Sequence, residues 1–105
     1  MDNILDKLEQ ILEDRKSATA DESYVSSLYA KGTDEILKKI GEESAEVIMA
    51  TKDDDKEKII YEVADLWFHT LVLLRHKDIK IDKILDELSN RFGLSGLTEK
   101  ANRTN

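Results

Sequence analysis

The sequence predicts an all-α fold of four to five helices arranged around a central antiparallel helix hairpin. The chain of 105 residues has no proline and only four glycines, and it is rich in residues that favour helices. Apolar residues recur at helical spacing along most of its length. A short charged turn separates the two longest periodic segments, which is typical of an antiparallel helix pair. We therefore expect a single all-α domain spanning residues 1–105.

Two helices are predicted before the hairpin. The first runs from about Met1 to Lys16, because its leucines and isoleucines have helical spacing. The polar segment Ser17–Ser23 predicts a loop. A short helix follows from about Tyr24 to Ala30, and Gly32 is expected to end it.

The third helix is the first arm of the hairpin. We expect it to run from about Asp34 to Thr51, with Thr33 or Asp34 as its N-cap. The charged segment Lys52–Asp55 predicts the turn that follows, and Asp54 or Asp55 is a suitable N-cap for the next helix.

The fourth helix, from about Lys56 to His76, is the most apolar and forms the second arm of the hairpin. A break at Lys77–Lys80 precedes a fifth helix from about Asp82 to Arg91, which Gly93 should terminate. The remaining tail has few apolar residues and is expected to be turn-like.

The two arms of the hairpin differ in how their polar residues are distributed. At about 100° per residue, the apolar residues of the third helix fall in an arc roughly 120° wide, which we interpret as its core face. That face consists of Ile36, Leu37, Ile40, Val47 and Ile48. The fourth helix is apolar over more than half its circumference, and its narrow polar stripe contains Glu62, Asp65 and His69.

Composition and charge exclude several functions. A net charge of −7 argues against a nucleic-acid partner, and the absence of cysteine excludes disulfides, thiolate zinc sites and cysteine nucleophiles. No signal-peptide pattern is visible at the N-terminus, and charged residues interrupt the longest apolar stretch. We therefore expect a cytoplasmic protein, in which any polyanionic substrate would arrive with its metal.

Four carboxylates are the strongest functional signal in the chain. Glu43 and Glu46, and then Glu62 and Asp65, have i, i+3 spacing, so each pair lies on one helix face. Carboxylates set into an apolar helix are unfavourable unless a cation compensates them. Either pair alone is also common on solvated helices, but two facing pairs favour a Mg²⁺ or Mn²⁺ site that handles phosphates.

Other polar residues leave two interpretations open. Lys39 lies between Glu43 and Glu46 in angle, so it forms either an ion pair with Glu43 or a contact to phosphate oxygens. His69 is interpreted as a packed or hydrogen-bonded side chain rather than a ligand. Lys100 and Arg103, near the end of the chain, are either solvated charges or phosphate contacts.

A family resemblance is carried by two motifs. The runs 38–47 (KKIGEESAEV) and 61–66 (YEVADL) resemble the Glu-x-x-Glu…Glu-x-x-Asp signature of the all-α nucleoside-triphosphate pyrophosphatase superfamily, which includes MazG-like enzymes. The finer match is to the phosphoribosyl-ATP pyrophosphatase family, and it extends to Ser23-Tyr24, Gly32, residues 64–74 and the ending 95–103. Val25 stands where that family leads us to expect threonine.

The resemblance implies a MazG-like bundle completed by dimerisation. It also implies Mg²⁺-dependent hydrolysis of phosphoribosyl-ATP to phosphoribosyl-AMP and pyrophosphate, the second step of histidine biosynthesis. It implies that Mg²⁺ is bound by Glu43, Glu46, Glu62 and Asp65, with Glu42 as a further candidate ligand. It also implies that Glu46 acts as the base and that Lys39 contacts the pyrophosphate portion of the substrate. Lys100 and Arg103 are weaker candidates for contacts to phosphate or ribose-phosphate groups.

Two alternative functions remain at this stage. A house-cleaning pyrophosphatase for non-standard nucleoside triphosphates or dUTP would use the same acids with a different base pocket. A non-catalytic helical interaction module would use the acidic stripes as partner or Ca²⁺ contacts. A homodimer is expected for the enzyme, because the fourth helix has more apolar surface than one small hairpin covers.

Overall fold

The computed structural model describes residues 3–93, which form five α-helices and no strand. The helices are α1 (Ile4–Asp14, extended by a 3-10 turn at Arg15–Ser17), α2 (Tyr24–Lys31), α3 (Thr33–Lys52), α4 (Lys56–His76) and α5 (Ile81–Phe92). The predicted all-α class and hairpin are confirmed. None of these helices is long and apolar enough to cross a membrane. The predictions for Met1, for the tail 94–105 and for Lys100 and Arg103 lie outside the described residues.

Polar side chains cap three of the helices. Asn3 accepts a hydrogen bond from the backbone N–H of Asp6 at 2.9 Å, and Ser23 accepts one from Ser26 at 2.9 Å. Asp55, one of the two predicted caps of α4, accepts from Lys58 at 3.2 Å. Caps of this kind stabilise a helix by about 1 kcal/mol each, so they fix where α1, α2 and α4 begin.

The junction between α2 and α3 corrects one prediction. Neither Thr33 nor Asp34 caps α3; the N-cap is Gly32, and no side chain bonds the first turn there. Gly32 has φ 97° and ψ −175°, a conformation that essentially only glycine adopts without strain. The same residue also ends α2, so one glycine sets the angle between the two helices.

The hydrophobic core lies where α1 and α2 pack against the hairpin. Its most deeply buried side chains are Leu12, Leu28, Ile36 and Val72, each exposed by 2% or less. Full burial of such a side chain contributes about 1.5–3 kcal/mol. Val25 also belongs to this core. An aliphatic side chain therefore suits the position where the family resemblance led us to expect threonine.

The buried side of α3 differs from the predicted core face. Ile36 is completely buried, but Leu37 and Ile48 are 49% and 61% exposed, so their assignment to the core of this chain was wrong. The buried residues of α3 are Ile36, Glu43 and Ala50, which follow a seven-residue spacing. The helix is rotated so that α4 covers this line. An acid therefore lies in the middle of the helix–helix contact.

Ionic contacts attach the hairpin and α5 to α1. The guanidinium of Arg75, near the end of α4, donates to Glu13 at 3.0 Å, and Lys16 pairs with Asp78 at 2.7 Å. The backbone N–H of Ile81, which begins α5, donates to the Glu9 carboxylate at 2.7 Å. These contacts fix the open end of the hairpin, which is the end opposite its turn at residues 53–55.

Candidate metal centre

The four acids form two pairs that face each other across the α3–α4 hairpin. Carboxylate oxygens of Glu43 and Asp65 lie within 4.8 Å of one another, and the Glu46 carboxyl is close enough to Glu62 to raise its pKa. Glu46 lies three residues after Glu43 on α3, and its partner Glu62 lies three residues before Asp65 on α4. This opposite displacement is expected when two antiparallel helices keep one alignment. The intrahelical spacing seen in the sequence therefore produces two interhelical pairs, one turn apart.

Each pair combines a buried acid with a more accessible one. Glu43 and Glu62 are 7% and 6% exposed, whereas Glu46 is exposed and the Asp65 side chain is 33% exposed. The site therefore has a closed floor and an open side.

Burial and mutual repulsion disfavour the ionised state of these acids. Burial, followed by the hydrogen bond and charge of Asp65, raises the pKa of Glu43 from 4.5 to about 7. Burial and the Glu46 carboxyl raise the pKa of Glu62 as well. Two carboxylates this close to each other repel when both are ionised. A cation bound between them would relieve the repulsion.

Among the described residues, the four acids lack an ion pair with a lysine or arginine. Four carboxylates offer hard oxygen donors, which suit a divalent cation. The chemistry of this donor set therefore fits the metal expected from the sequence.

His69 lies against the Glu43–Asp65 pair and is fully hydrogen-bonded. Ligand atoms of Glu43, Asp65 and His69 lie within 4.8 Å of one another. The imidazole is 3% exposed; its Nδ1 lies 2.9 Å from the backbone carbonyl of Asp65 and its Nε2 lies 2.7 Å from the Tyr24 hydroxyl. Both nitrogens are occupied, in agreement with the interpretation of His69 as a packed, hydrogen-bonded side chain.

Lys39 pairs with a different acid from the one considered in the sequence. Its ammonium lies 3.6 Å from a carboxylate oxygen of Glu42, whose side chain is 48% exposed. The Tyr24 hydroxyl, followed by the charges of Glu42 and Glu43, raises the pKa of Lys39. The cation therefore lies at the edge of the carboxylate cluster.

Tyr24 is a site residue to which sequence reasoning gave no role. It is the first residue of α2 and stands 45 positions before His69, so helical spacing could not connect the two. The only available signal was the Ser23-Tyr24 pair within the family resemblance. Burial raises the pKa of the Tyr24 hydroxyl, and the neighbouring Lys39 opposes that rise.

Comparison with known proteins identifies a family and its relatives. The family model described as phosphoribosyl-ATP pyrophosphohydrolase matches residues 5–92. Proteins named phosphoribosyl-ATP pyrophosphatase from Vesicomyosocius okutanii and Ruthia magnifica are 79% and 75% identical to this chain over the whole length of both chains. A protein of the same name from Neisseria gonorrhoeae is 57% identical, covering 98% of this chain and 96% of its own.

Proposed function

The chain belongs to the phosphoribosyl-ATP pyrophosphohydrolase family, and on that premise we propose that the facing acidic pairs of α3 and α4 are its catalytic centre. The reaction is hydrolysis of phosphoribosyl-ATP to phosphoribosyl-AMP and pyrophosphate, the second step of histidine biosynthesis. The observation that supports this assignment most directly is the pairing of the buried Glu43 with the partly exposed Asp65, neither of which forms an ion pair with a lysine or arginine among the described residues. Because this reaction belongs to a biosynthetic pathway, we propose a cytoplasmic location for the protein.

Glu43, Glu46, Glu62 and Asp65 are the proposed ligands of Mg²⁺, for which Mn²⁺ is the alternative. The buried Glu43 and Glu62 would hold the ion from the floor of the site, and the accessible Glu46 and Asp65 would close around it. Glu42 is a candidate ligand of an additional ion, because its carboxylate is partly exposed beside Glu43. When bound, the ion neutralises charge on phosphate oxygens and lowers the pKa of coordinated water.

Glu46 is the proposed base. It is the solvent-accessible member of its pair, so its carboxylate can accept a proton from water that approaches the α–β phosphoanhydride. Glu62 faces it from the buried side of the site, where burial and the Glu46 carboxyl raise the pKa of Glu62.

Lys39 is the proposed contact for the pyrophosphate portion of the substrate. Its compact positive charge lies at the edge of the acidic cluster, where phosphate oxygens bound to the ion would project. Lys100 and Arg103, which lie outside the described residues, are proposed as further contacts to phosphate or ribose-phosphate groups.

The proposed function is tested by pyrophosphate release from phosphoribosyl-ATP, with and without Mg²⁺. We expect metal-dependent release, and a loss of at least a hundredfold in Glu43→Gln and Asp65→Asn, because each variant removes charge that the ion requires. Glu57→Gln changes an exposed acid of α4 and serves as the control. Full turnover in both site variants would exclude the four-acid centre.

The same assay separates the alternative functions. A house-cleaning pyrophosphatase would hydrolyse dUTP or non-standard triphosphates faster than phosphoribosyl-ATP. A non-catalytic interaction module would release pyrophosphate from none of them. The named relatives favour phosphoribosyl-ATP as the preferred substrate.

A homodimer is proposed from the exposed apolar surface of the hairpin. Ile48, Ile60 and Trp67 are each more than 60% exposed, which is unusual for side chains of this size. Trp67 also lines an apolar groove of about 520 Å³ between α1, α4 and α5. A second copy of the chain would cover these residues.

Light scattering tests the proposed dimer. We expect a dimer at micromolar concentration and dissociation in Trp67→Glu, because a buried carboxylate disfavours an apolar interface. Lys77→Glu, which adds a carboxylate at an exposed polar position, is the control. A wild-type monomer at micromolar concentration would contradict the proposal.

A further inference from the structure

Tyr24 presents a half-exposed aromatic ring beside the Glu43–Asp65 pair. Its hydroxyl lies 2.7 Å from Nε2 of His69, and ligand atoms of His69, Glu43 and Asp65 lie within 4.8 Å of one another. A single imidazole therefore connects the ring to two of the proposed metal ligands. Among the described residues, 49% of the Tyr24 surface stays accessible to solvent.

The Tyr24 ring is fixed in place before any ligand arrives. Tyr24 is the first residue of α2, and the side chain of Ser23 caps that helix by accepting from the backbone N–H of Ser26. The hydroxyl of Ser27 donates to the Tyr24 carbonyl at 2.6 Å. The hydrogen bond to the buried His69 holds the far end of the ring, whichever of the two groups donates. A ligand that contacts this ring therefore does not have to order it.

The contact between Tyr24 and His69 is made at the edge of the tyrosine ring. The two rings are nearly perpendicular, with an interplanar angle of 87° and centroids 5.7 Å apart. Because the hydrogen bond runs through the hydroxyl, the imidazole does not cover a face of the tyrosine ring. An aromatic face offers a flat apolar surface on which another ring can stack. A planar ring that belongs to a ligand held by the acids fits such a surface.

We propose that the purine base of the nucleotide substrate stacks on the ring of Tyr24. The proposal rests on the proposed function, in which the acids bind the phosphate groups of the substrate through a metal ion. The base of a nucleotide is joined to its α-phosphate through one ribose, so it lies a short distance beyond the bound phosphates. Tyr24 lies a comparable distance beyond the acids, at the far side of one imidazole. The residue therefore favours nucleotides over polyphosphates that have no base.

The other exposed aromatic side chains have no such connection to the acids. Tyr61, Trp67 and Phe92 are each more than 60% exposed. Within residues 3–93, no hydrogen bond or ring contact joins them to His69 or to the Glu43–Asp65 pair. Exposure alone therefore does not single out Tyr24, whereas its contact with His69 does.

Calorimetry with two ligands, both in the presence of Mg²⁺, tests the proposal. The α,β-methylene analogue of ATP carries a purine base and cannot be cleaved at the α–β position, whereas tripolyphosphate has no base. Tyr24→Leu should weaken binding of the ATP analogue about tenfold and leave binding of tripolyphosphate unchanged. Tyr24→Phe keeps the ring and should retain most of the affinity for the ATP analogue.

Phe92→Leu is the matched control, because it makes the same aromatic-to-aliphatic change at an exposed position at the end of α5. It should leave the affinity for both ligands unchanged. Light scattering of the Tyr24 variants should give the oligomeric state of the wild type. A change of oligomeric state in Tyr24→Leu would overturn the proposal, since the ring would then belong to an interface between chains.

Kinetics with phosphoribosyl-ATP provide a second measurement. The stacked base is the same in the ground state and the transition state, because the reaction occurs at the phosphates. Tyr24→Leu should therefore raise KM about tenfold with little change in kcat. A fall in kcat at unchanged KM would contradict a role in binding the base.

The binding experiment has three further results that would overturn the proposal. They are an unchanged affinity of Tyr24→Leu for the ATP analogue, an equal loss for tripolyphosphate, and an equal loss in Tyr24→Phe. Absence of analogue binding by the wild-type protein would also overturn it. Failure of the proposed function is distinguishable from these results, because it would be observed as no release of pyrophosphate from phosphoribosyl-ATP, and the binding comparison does not depend on turnover.

Discussion

Replacing Glu43 with glutamine should stabilise the metal-free protein in alkaline solution, although it removes a proposed catalytic group. In the folded protein, burial and the neighbouring Asp65 raise the pKa of Glu43 from 4.5 to about 7. A shift of one unit corresponds to about 1.4 kcal/mol, so the full shift corresponds to about 3 kcal/mol. Water at the open side of the site screens part of this, and we expect about 1–3 kcal/mol.

The sign of the effect follows from proton linkage. Because the pKa of Glu43 is higher in the folded than in the unfolded state, its contribution to stability is fully present below about pH 4.5 and is lost as the pH rises through about 7. Glutamine does not ionise, and its amide can donate to the Asp65 carboxylate. The variant therefore keeps the contact at every pH.

Urea unfolding in the presence of a chelator, followed by helical circular dichroism at one protein concentration, measures this difference. The free energy of unfolding of Glu43→Gln should exceed that of the wild type near pH 8, and the difference should shrink toward about pH 5. Added Mg²⁺ should stabilise the wild type more than the variant, because the variant lacks one of the carboxylates proposed to bind the ion. Glu57→Gln, the exposed control on α4, should show neither effect.

Two results would refute the reasoning about Glu43. One is a metal-free variant that is less stable than the wild type near pH 8. The other is a stability difference that does not change between about pH 5 and pH 8, which would mean that Glu43 titrates alike in both states.

The remaining predictions concern stability and can be measured by thermal or urea unfolding. Gly32→Ala should destabilise the protein by about 1–3 kcal/mol because of its positive φ, although the added Cβ would meet nothing within 4 Å beyond the adjacent chain. Gly41→Ala, in mid-helix with equally open space, should stabilise it by about 0.5–1 kcal/mol. Leu28→Ala, at a 2% exposed core position, should cost about 2–5 kcal/mol. Asp55→Ala should cost about 1 kcal/mol through loss of the α4 cap. A change of the same sign in the two glycine variants would contradict the conformational argument.

The sequence was sufficient to predict the hairpin and the two acidic pairs, because both depend on local spacing. Helical periodicity and one short turn place Glu43 and Glu46 on α3 and Glu62 and Asp65 on α4. The cap of α4 at Asp55 was predictable for the same reason.

Features that depend on distant partners were not predictable. Helical spacing places Glu43 and Glu46 on one face of α3, but the burial of Glu43 depends on how α3 is rotated against α4, which single-helix angles do not specify. The same rotation exposes Leu37 and Ile48. The contact between Tyr24 and His69 joins residues 45 positions apart, so no periodic pattern contains it.

The turn at residues 53–55 is short, with Asp54 in a left-handed conformation at φ 55°, and it determines which residues of α3 and α4 meet. A residue inserted at this turn so that it lengthened α3 or α4 would rotate the acids beyond it by about 100° and advance them by about 1.5 Å. All four acids would still be in the chain, but Asp65 would no longer face Glu43. The information for this site therefore resides as much in the number of residues between its two motifs as in the motifs themselves, and a length change in an apparently neutral loop would be as damaging as the loss of an acid.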